Sequence, residues 1–227
     1  MDCNSYSGAQ LKESFTYVTP DPADPIVRVH ALLNSKLIKE SDLKPNWKEE
    51  LSDLQLKGIS WLYHFSPECN LGSILEHGLV SREYASEAGI TIKQYGGNQI
   101  SHNQSNSFGY VDFVHLCFCT DHPMMPRVVR DSNQYLLLFY IDPIVIAFNS
   151  TQLTDRNAAA NAHQPMNSLV NMSSDVIEAT QKQYVSRNSS IFEPHQAEVM
   201  VKHCVPPYLI KYYEKVTNIA PPAAMSS

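Results

Sequence analysis

The 227-residue sequence lacks several features that identify common classes of protein. No apolar run approaches the length of a membrane span. The first residues show no basic segment followed by an apolar one, so we expect no secretory signal. Internal repeats, a Walker phosphate-binding loop and a Gly-x-Gly-x-x-Gly motif are also missing. A chain of this kind that uses a nucleotide does not hold it on the phosphate-binding helix of a doubly wound fold.

An excess of positive charge is missing as well, because the formal net charge is -6. This balance disfavours a protein that binds nucleic acid through a broad basic surface. It still permits an enzyme that meets nucleic acid in a local groove. The five cysteines are odd in number and show no regular framework of spacing. We therefore expect reduced thiols and a cytoplasmic protein.

Four potential metal ligands lie close together in the sequence, namely His115, Cys117, Cys119 and His122. A zinc site needs four ligands at a recognisable spacing. The first three alternate along a predicted strand, which is not such a spacing. We therefore expect no metal site.

The sequence does contain enough apolar material for a core, since 43% of its residues are hydrophobic and 10% are aromatic. Helical spacing in residues 26–39 and 47–56 predicts a helical extension over residues 1–58, partly flexible at its start. The main domain is expected over residues 59–215. Composition predicts a disordered tail over residues 216–227.

Helix and strand signals are mixed within the main domain. Gly78 is expected to close a helix that begins near Leu71. A long polar loop is predicted at 84–109, and residues 153–159 indicate a turn followed by a short helix. Strand patterns occur at residues 59–66, 111–119, 135–141, 144–148, 196–201 and 208–213. The run at 135–141 is apolar throughout, which is typical of a central strand buried on both faces.

Glu198 is out of place in its surroundings. On the strand predicted at 196–201 it shares one face with Gln196 and Met200, while the other face is wholly apolar. The ordinary interpretation is an exposed glutamate on an edge strand. The alternative is a functional carboxylate, because local misfits of this kind are expected at functional sites.

Four blocks of sequence between Trp61 and Ile210 occur in a fixed order and carry a resemblance. They are Leu62-Tyr-His-Phe-Ser with Ile74-Leu-Glu-His-Gly-Leu, Val114-His-Leu-Cys-Phe-Cys-Thr-Asp-His-Pro-Met124, Leu153-Thr-Asp-Arg-Asn-Ala-Ala159, and Gln196-Ala-Glu-Val-Met-Val followed by Val205-Pro. In this order they resemble the DarT family of ADP-ribosyltransferase toxins, which use NAD to modify nucleic-acid bases. The resemblance covers about two-thirds of the chain.

The resemblance implies an α+β fold of the ADP-ribosyltransferase type, in which two packed β-sheets form a cleft for NAD. It implies that Glu198 is the catalytic carboxylate and that His64 holds a ribose hydroxyl of NAD. Gln196 would help to place the acceptor. Physical chemistry agrees, because a carboxylate stabilises the oxocarbenium-like state through which the nicotinamide–ribose bond breaks.

The resemblance also implies further contacts with the two substrates. Residues expected at NAD are Ser66, Leu75, Arg82 and Asn157. Asn157 could instead position a loop, and Arg82 could instead pair with a carboxylate such as Glu83. Residues expected on the acceptor side are Lys93, Asn98 and His115.

One segment departs from the family pattern. Thymine-modifying members carry an arginine shortly after an Ile-Lys pair, whereas Ile90-Thr-Ile-Lys-Gln-Tyr-Gly-Gly-Asn98 contains none. Lys93 is the nearest cation. The acceptor base therefore stays open, in single-stranded DNA or in RNA.

The resemblance predicts a toxin of a toxin–antitoxin or anti-phage system, with an antitoxin protein as a partner. Two other classes remain as alternatives. One is an ADP-ribosyltransferase that modifies protein side chains, and the other is a non-catalytic module with an NAD fold. Residues 1–58 lie outside the resemblance and either serve a partner or buttress the fold.

Overall fold

A computed structural model of the protein describes residues 24–95, 109–160, 163–217 and 219. Six α-helices lie within these residues: α1 Pro25–Asn34, α2 Trp47–Leu56, α3 Leu71–His77, α4 Arg82–Glu87, α5 Met125–Ser132 and α6 Ser174–Thr180. Nine β-strands accompany them: β1 Leu62–Pro67, β2 Leu79–Val80, β3 Phe113–Cys117, β4 Leu136–Ile141, β5 Thr151–Thr154, β6 Pro165–Met166, β7 Glu198–Lys202, β8 Cys204–Val205 and β9 Ile210–Lys215.

Seven of the strands form one antiparallel sheet in the order β6-β5-β7-β3-β1-β4-β9. The other two, β2 and β8, form a separate two-stranded ribbon. Strand β4 is almost wholly buried between β1 and β9, which confirms the central strand predicted at 135–141. Strand β7 lies inside the sheet between β5 and β3. Of the two interpretations of Glu198, the exposed residue on an edge strand is therefore excluded.

The amino-terminal helices pack on this sheet and share its core. Trp47, Leu51 and Leu54 on α2 belong to the same buried apolar cluster as the central strands. The guanidinium of Arg28 on α1 donates to the carboxylate of Asp142 at 2.9 Å. In the described part of the extension, the helices therefore buttress the fold. The division of the chain at residues 58 and 215 stays a prediction.

Three local predictions are wrong, two of them because of a capping or turn residue. Residues predicted as a strand at 144–148 form a 3₁₀ helix, Pro143–Ala147, whose first turn is capped by the Asp142 carboxylate. Residues 153–159 leave β5 as a loop and not as a short helix. Pro194 begins a 3₁₀ turn, Pro194–Gln196, so Gln196 precedes the strand that starts at Glu198.

Other differences concern helices and thiols. Helices α5 and α6 were not predicted, and α4 occupies part of the predicted loop at 84–109. Residues 96–108 of that loop lie outside the described residues. Cys69, Cys117 and Cys119 carry free thiols, as predicted, whereas Cys204 is disulfide-bonded. Among the helices of the described residues, none combines the length and apolarity needed to cross a membrane.

Gly78 ends α3, as predicted, and it is required there. Its φ is +79°, and a β-carbon would overlap the carbonyl oxygen of Val205 in the neighbouring ribbon. We expect Gly78→Ala to lower the free energy of unfolding by at least about 2 kcal/mol. Urea denaturation measures this change. Gly72→Ala is the matched control on the same helix, since its β-carbon would meet nothing within 4 Å. An unchanged stability of Gly78→Ala would contradict the close contact with the ribbon.

Candidate active site

A cavity of about 240 Å³ opens where the three strands β1, β3 and β7 lie side by side. The polar side chains that these strands contribute to its lining include His64 from β1, His115 from β3 and Glu198 from β7. Strand pairing sets their spacing, because Cys117 on β3 is paired with both Tyr63 and Glu198. Residues far apart in the sequence thus converge on one pocket.

Glu198 is held by three donors at the first position of β7. Its Oε2 accepts from the backbone amide of Ala158 at 3.0 Å and lies 3.0 Å from Nδ1 of His115. Its Oε1 accepts from the side-chain amide of Asn157 at 3.3 Å. The residue is only 7% exposed. The carboxylate is therefore fixed in one orientation beside the cavity.

Glu198 and His115 form a charged pair. Burial raises the pKa of Glu198, but the charge and hydrogen bond of His115 outweigh it, so the pKa lies below its usual range. Burial likewise lowers the pKa of His115, yet the carboxylate of Glu198 outweighs this effect and the pKa is raised. The carboxylate is consequently ionised at neutral pH.

His64 is a neutral partner in the same pocket. Burial lowers its pKa to about 4. Its Nδ1 lies 2.9 Å from the carbonyl oxygen of His115, which can only accept, so Nδ1 carries the proton. Nε2 is then left as an acceptor. An ionised carboxylate beside a neutral imidazole acceptor suits a ligand that presents hydroxyl groups and develops positive charge.

A second polar group closes the end of the cavity near β1. The hydroxyl of Ser66 accepts from the side-chain amide of Asn70 at 3.0 Å. Asn70 also binds the backbone of Gln94 through both its oxygen and its nitrogen. This arrangement docks the segment before residue 96 onto the site. All three residues line the cavity.

The other predicted site residues have mixed positions. Arg82 lines the cavity with its guanidinium over the ring of Tyr95. Within the described residues it forms no ion pair, so the predicted pairing with Glu83 is not observed. Asn157 lines the cavity and holds the catalytic candidate Glu198 and its own loop. This agrees with the predicted role in positioning a loop.

Three predicted site residues lie away from the described cavity. Leu75 does not line it, although its neighbour Ile74 does, because successive residues of a helix point about 100° apart. The side-chain amide of Gln196 binds the carbonyl oxygen of Phe192, outside the pocket lining. Lys93 is exposed. Asn98 lies outside the described residues.

Sequence reasoning missed Asn70 and His122. His122 is 2% exposed and lines the cavity. Its Nδ1 accepts from the amide of Met124, which leaves Nε2–H as a buried donor without a hydrogen-bond partner. His122 was considered only as a metal ligand. The motif Asp121-His-Pro-Met124, which follows β3, was the sequence signal that could have indicated a role for His122 in the site.

The charged pair predicts a pH profile for any activity that needs ionised Glu198. Because its pKa is lowered, the acid limb of kcat/KM should lie below pH 4.5, the ordinary value for glutamate. Removing the partner in His115→Phe leaves burial unopposed by that charge, so the limb should move to higher pH. Rates against pH test this, with circular dichroism at each pH to confirm folding. A limb that stays in place would contradict the pairing.

Comparisons with known proteins extend these observations. A family model described as ssDNA thymidine ADP-ribosyltransferase, DarT, matches residues 63–215. No curated protein matches the sequence. Among solved structures, Thermosipho africanus DarTG in complex with ADP-ribose is 20% identical, with a TM-score of 0.55. The match covers 67% of this chain and only 43% of that one, so this chain spans less than half of its length.

A second solved structure is matched over a larger share of its own length. Thermus sp. 2.9 DarT in complex with ADP-ribosylated ssDNA is 18% identical, with a TM-score of 0.57 over 69% of this chain and 81% of that chain. At such identities the likeness shows the fold. The predicted α+β fold of the ADP-ribosyltransferase type is thus confirmed, with a large antiparallel sheet and a second sheet of only two strands.

The region matched by the family model extends from the second residue of β1 to the last residue of β9. It contains His64, His115 and Glu198, which line the cavity, and amounts to more than half of the chain. The chain therefore belongs to the DarT family of ADP-ribosyltransferases.

Proposed function

We propose that this chain transfers ADP-ribose from NAD to a base of single-stranded DNA and acts in this way as a toxin. The observation that carries the proposal is that the ionised, buried Glu198 and the neutral His64 line the same cavity and are both held by His115. Membership of the DarT family and the NAD complex of Thermus sp. 2.9 DarT, matched with a TM-score of 0.50, support NAD as the donor.

The reaction breaks the bond between nicotinamide and C1′ of the ribose. The electron pair of that bond leaves with nicotinamide, and positive charge develops on the ribose. Glu198 stabilises this charge because it is ionised and cannot rotate away from its three donors. A nucleophilic atom of the base then bonds to C1′ and its proton is released.

His64 contributes to binding of the donor in this proposal. Its Nε2 accepts a hydrogen bond from a ribose hydroxyl, while Nδ1 is occupied by the carbonyl oxygen of His115. Ser66 and Arg82 line the same cavity and serve the remaining polar groups of NAD. Leu75 and Gln196 are not needed in the donor pocket as described, although Gln196 can still act from outside it.

Single-stranded DNA is favoured as the acceptor over RNA. The Thermus sp. 2.9 DarT structure contains ADP-ribosylated ssDNA, and the description of the family model names thymidine in ssDNA. The absence of an arginine between residues 90 and 98 leaves the choice of base to experiment. Lys93 is an exposed cation within this segment and would meet a phosphate of the acceptor.

The same proposal includes a partner protein, the bounds of the enzyme domain and its cellular compartment. The match to DarTG supports a role with an antitoxin partner. We assign the enzyme to residues 59–215 and place it in the cytoplasm, where NAD is available to it. The amino-terminal helices stabilise it from outside the matched region.

Labelled NAD tests the proposal directly. The folded protein is incubated with labelled NAD and separate pools of single-stranded DNA, RNA and protein. We expect label in the DNA pool. Label in RNA alone would show that the acceptor is RNA and not DNA. Label in protein alone would show that the chain modifies protein side chains. If no pool takes label, the enzymatic proposal fails.

A further inference from the structure

A compact cluster of three metal-ligating side chains lies outside the active-site cavity. Cys119 follows the end of β3, Asp121 lies in the turn after it, and His195 lies in the 3₁₀ turn before β7. One ligand atom of each lies within 4.8 Å of the others. The sequence could not reveal this cluster, because His195 is 76 residues beyond Cys119.

The imidazole of His195 is oriented like that of a metal ligand. Its Nδ1 lies 2.9 Å from the carbonyl oxygen of Ala179, so Nδ1 carries the proton and Nε2 exposes its lone pair. The side chain is 0% exposed. Among the described residues, no group forms a hydrogen bond with Nε2. A buried acceptor nitrogen of this kind needs a proton or a cation.

The carboxylate of Asp121 faces that nitrogen. Its Oδ2 accepts from the backbone amide of Tyr184, which orients the group. Its Oδ1 is buried without a hydrogen-bond partner and lies 3.7 Å from Nε2 of His195. Among the described residues, no lysine or arginine forms an ion pair with Asp121. Two unpartnered acceptors that face each other repel unless a proton or a cation lies between them.

The distances suit a small tetrahedral cation. A nitrogen and an oxygen ligand at roughly 2.0–2.2 Å from such an ion lie about 3.3–3.5 Å apart. The separation of 3.7 Å between Nε2 and Oδ1 is slightly longer, so a small movement of either side chain brings both atoms to the ion. The set combines a thiolate, an imidazole and a carboxylate, which zinc accepts together. A cavity of about 310 Å³ borders Cys119 and Asp121 and gives room for water as the fourth ligand.

We propose that Cys119, Asp121 and His195 bind one Zn²⁺ ion through Sγ, Oδ1 and Nε2. Binding releases to solvent the one proton that Cys119 and His195 share in the metal-free protein. The ion joins the segment after β3 to the segment before β7, three residues from Glu198. It thereby fixes the start of the strand that carries the proposed catalytic carboxylate.

The test measures metal content and does not depend on activity. Protein expressed with zinc in the medium is dialysed against metal-free buffer and analysed by mass spectrometry for metals. We expect about one zinc per chain, because three protein ligands, one of them a thiolate, bind the ion tightly. Cys119→Ser and His195→Gln should each lose at least nine-tenths of it. Cys69→Ser, which replaces another free thiol, should retain it.

Cobalt binding to the wild-type protein is a second test, which remains valid even if a variant fails to fold. Co²⁺ added to metal-free wild-type protein should produce a sulfur-to-cobalt charge-transfer absorption that Cys119→Ser lacks. Asp121→Asn should keep the fold and weaken Zn²⁺ affinity at least tenfold. Without a metal, the same residues would form a thiolate–imidazolium pair. Wild-type protein that contains no zinc and shows no cobalt absorption would establish that pair and overturn the proposal.

Discussion

Glu198→Gln should lower kcat for ADP-ribosyl transfer at least about a hundredfold, corresponding to about 3 kcal/mol of transition-state stabilisation. Glutamine has almost the same shape as glutamate and can still accept from the amide of Ala158. It removes the negative charge that opposes the positive charge on the ribose. Single-turnover release of nicotinamide measures the effect on the chemical step.

The controls for this variant separate charge from folding. Glu76→Gln neutralises a glutamate whose side chain is 67% exposed, outside the cavity lining, and should leave the rate unchanged. Urea denaturation establishes that Glu198→Gln remains folded. A folded Glu198→Gln variant with a rate near that of the wild type would exclude Glu198 as the catalytic carboxylate.

His64 gives the second-largest expected effect. His64→Phe removes the Nε2 acceptor and leaves the carbonyl oxygen of His115 without its donor. We expect kcat/KM for NAD to fall about 10- to 100-fold, the cost of about 1.4–3 kcal/mol for a lost buried hydrogen bond. Steady-state rates over a range of NAD concentrations measure it. His77→Phe, on the exposed end of α3, is the matched control.

Two further variants distinguish a contact with NAD from a structural role of His64. Glutamine places a polar atom near the position of Nε2, and asparagine places one near Nδ1. If Nε2 binds the ribose, His64→Gln should retain more activity than His64→Asn. The opposite order would mean that only the hydrogen bond to the His115 carbonyl matters.

The central strands could be predicted from sequence because their apolar pattern is determined by burial. Leu136–Ile141 is buried on both faces. A strand in that position is apolar throughout, so its uninterrupted apolar run predicts the burial. The motifs around His64, Asn157 and Glu198 also brought these residues into one candidate site. The structure places all three at one cavity. Their grouping was predicted from the order of motifs shared with the DarT family, since no local sequence pattern connects residues 64 and 198.

The remaining features depend on single capping residues or on distant contacts. Asp142 and Pro143 convert an apolar run into a 3₁₀ helix, and Pro194 removes Gln196 from its strand. The partner of Glu198 was missed for another reason. His115 was expected at the acceptor, but strand pairing places it on β3 next to β7, within reach of the carboxylate. Periodicity assigns a face to a residue and does not assign its neighbour on the adjacent strand.

The most direct test of the account is the identity of the nucleoside after reaction. Single-stranded oligonucleotides containing all four bases are incubated with NAD and protein, digested to nucleosides and analysed by mass spectrometry. The account predicts one nucleoside that carries an ADP-ribosyl group with the wild-type protein and not with Glu198→Gln. Unmodified DNA in the presence of folded wild-type protein and NAD, or equal modification by both proteins, would contradict it.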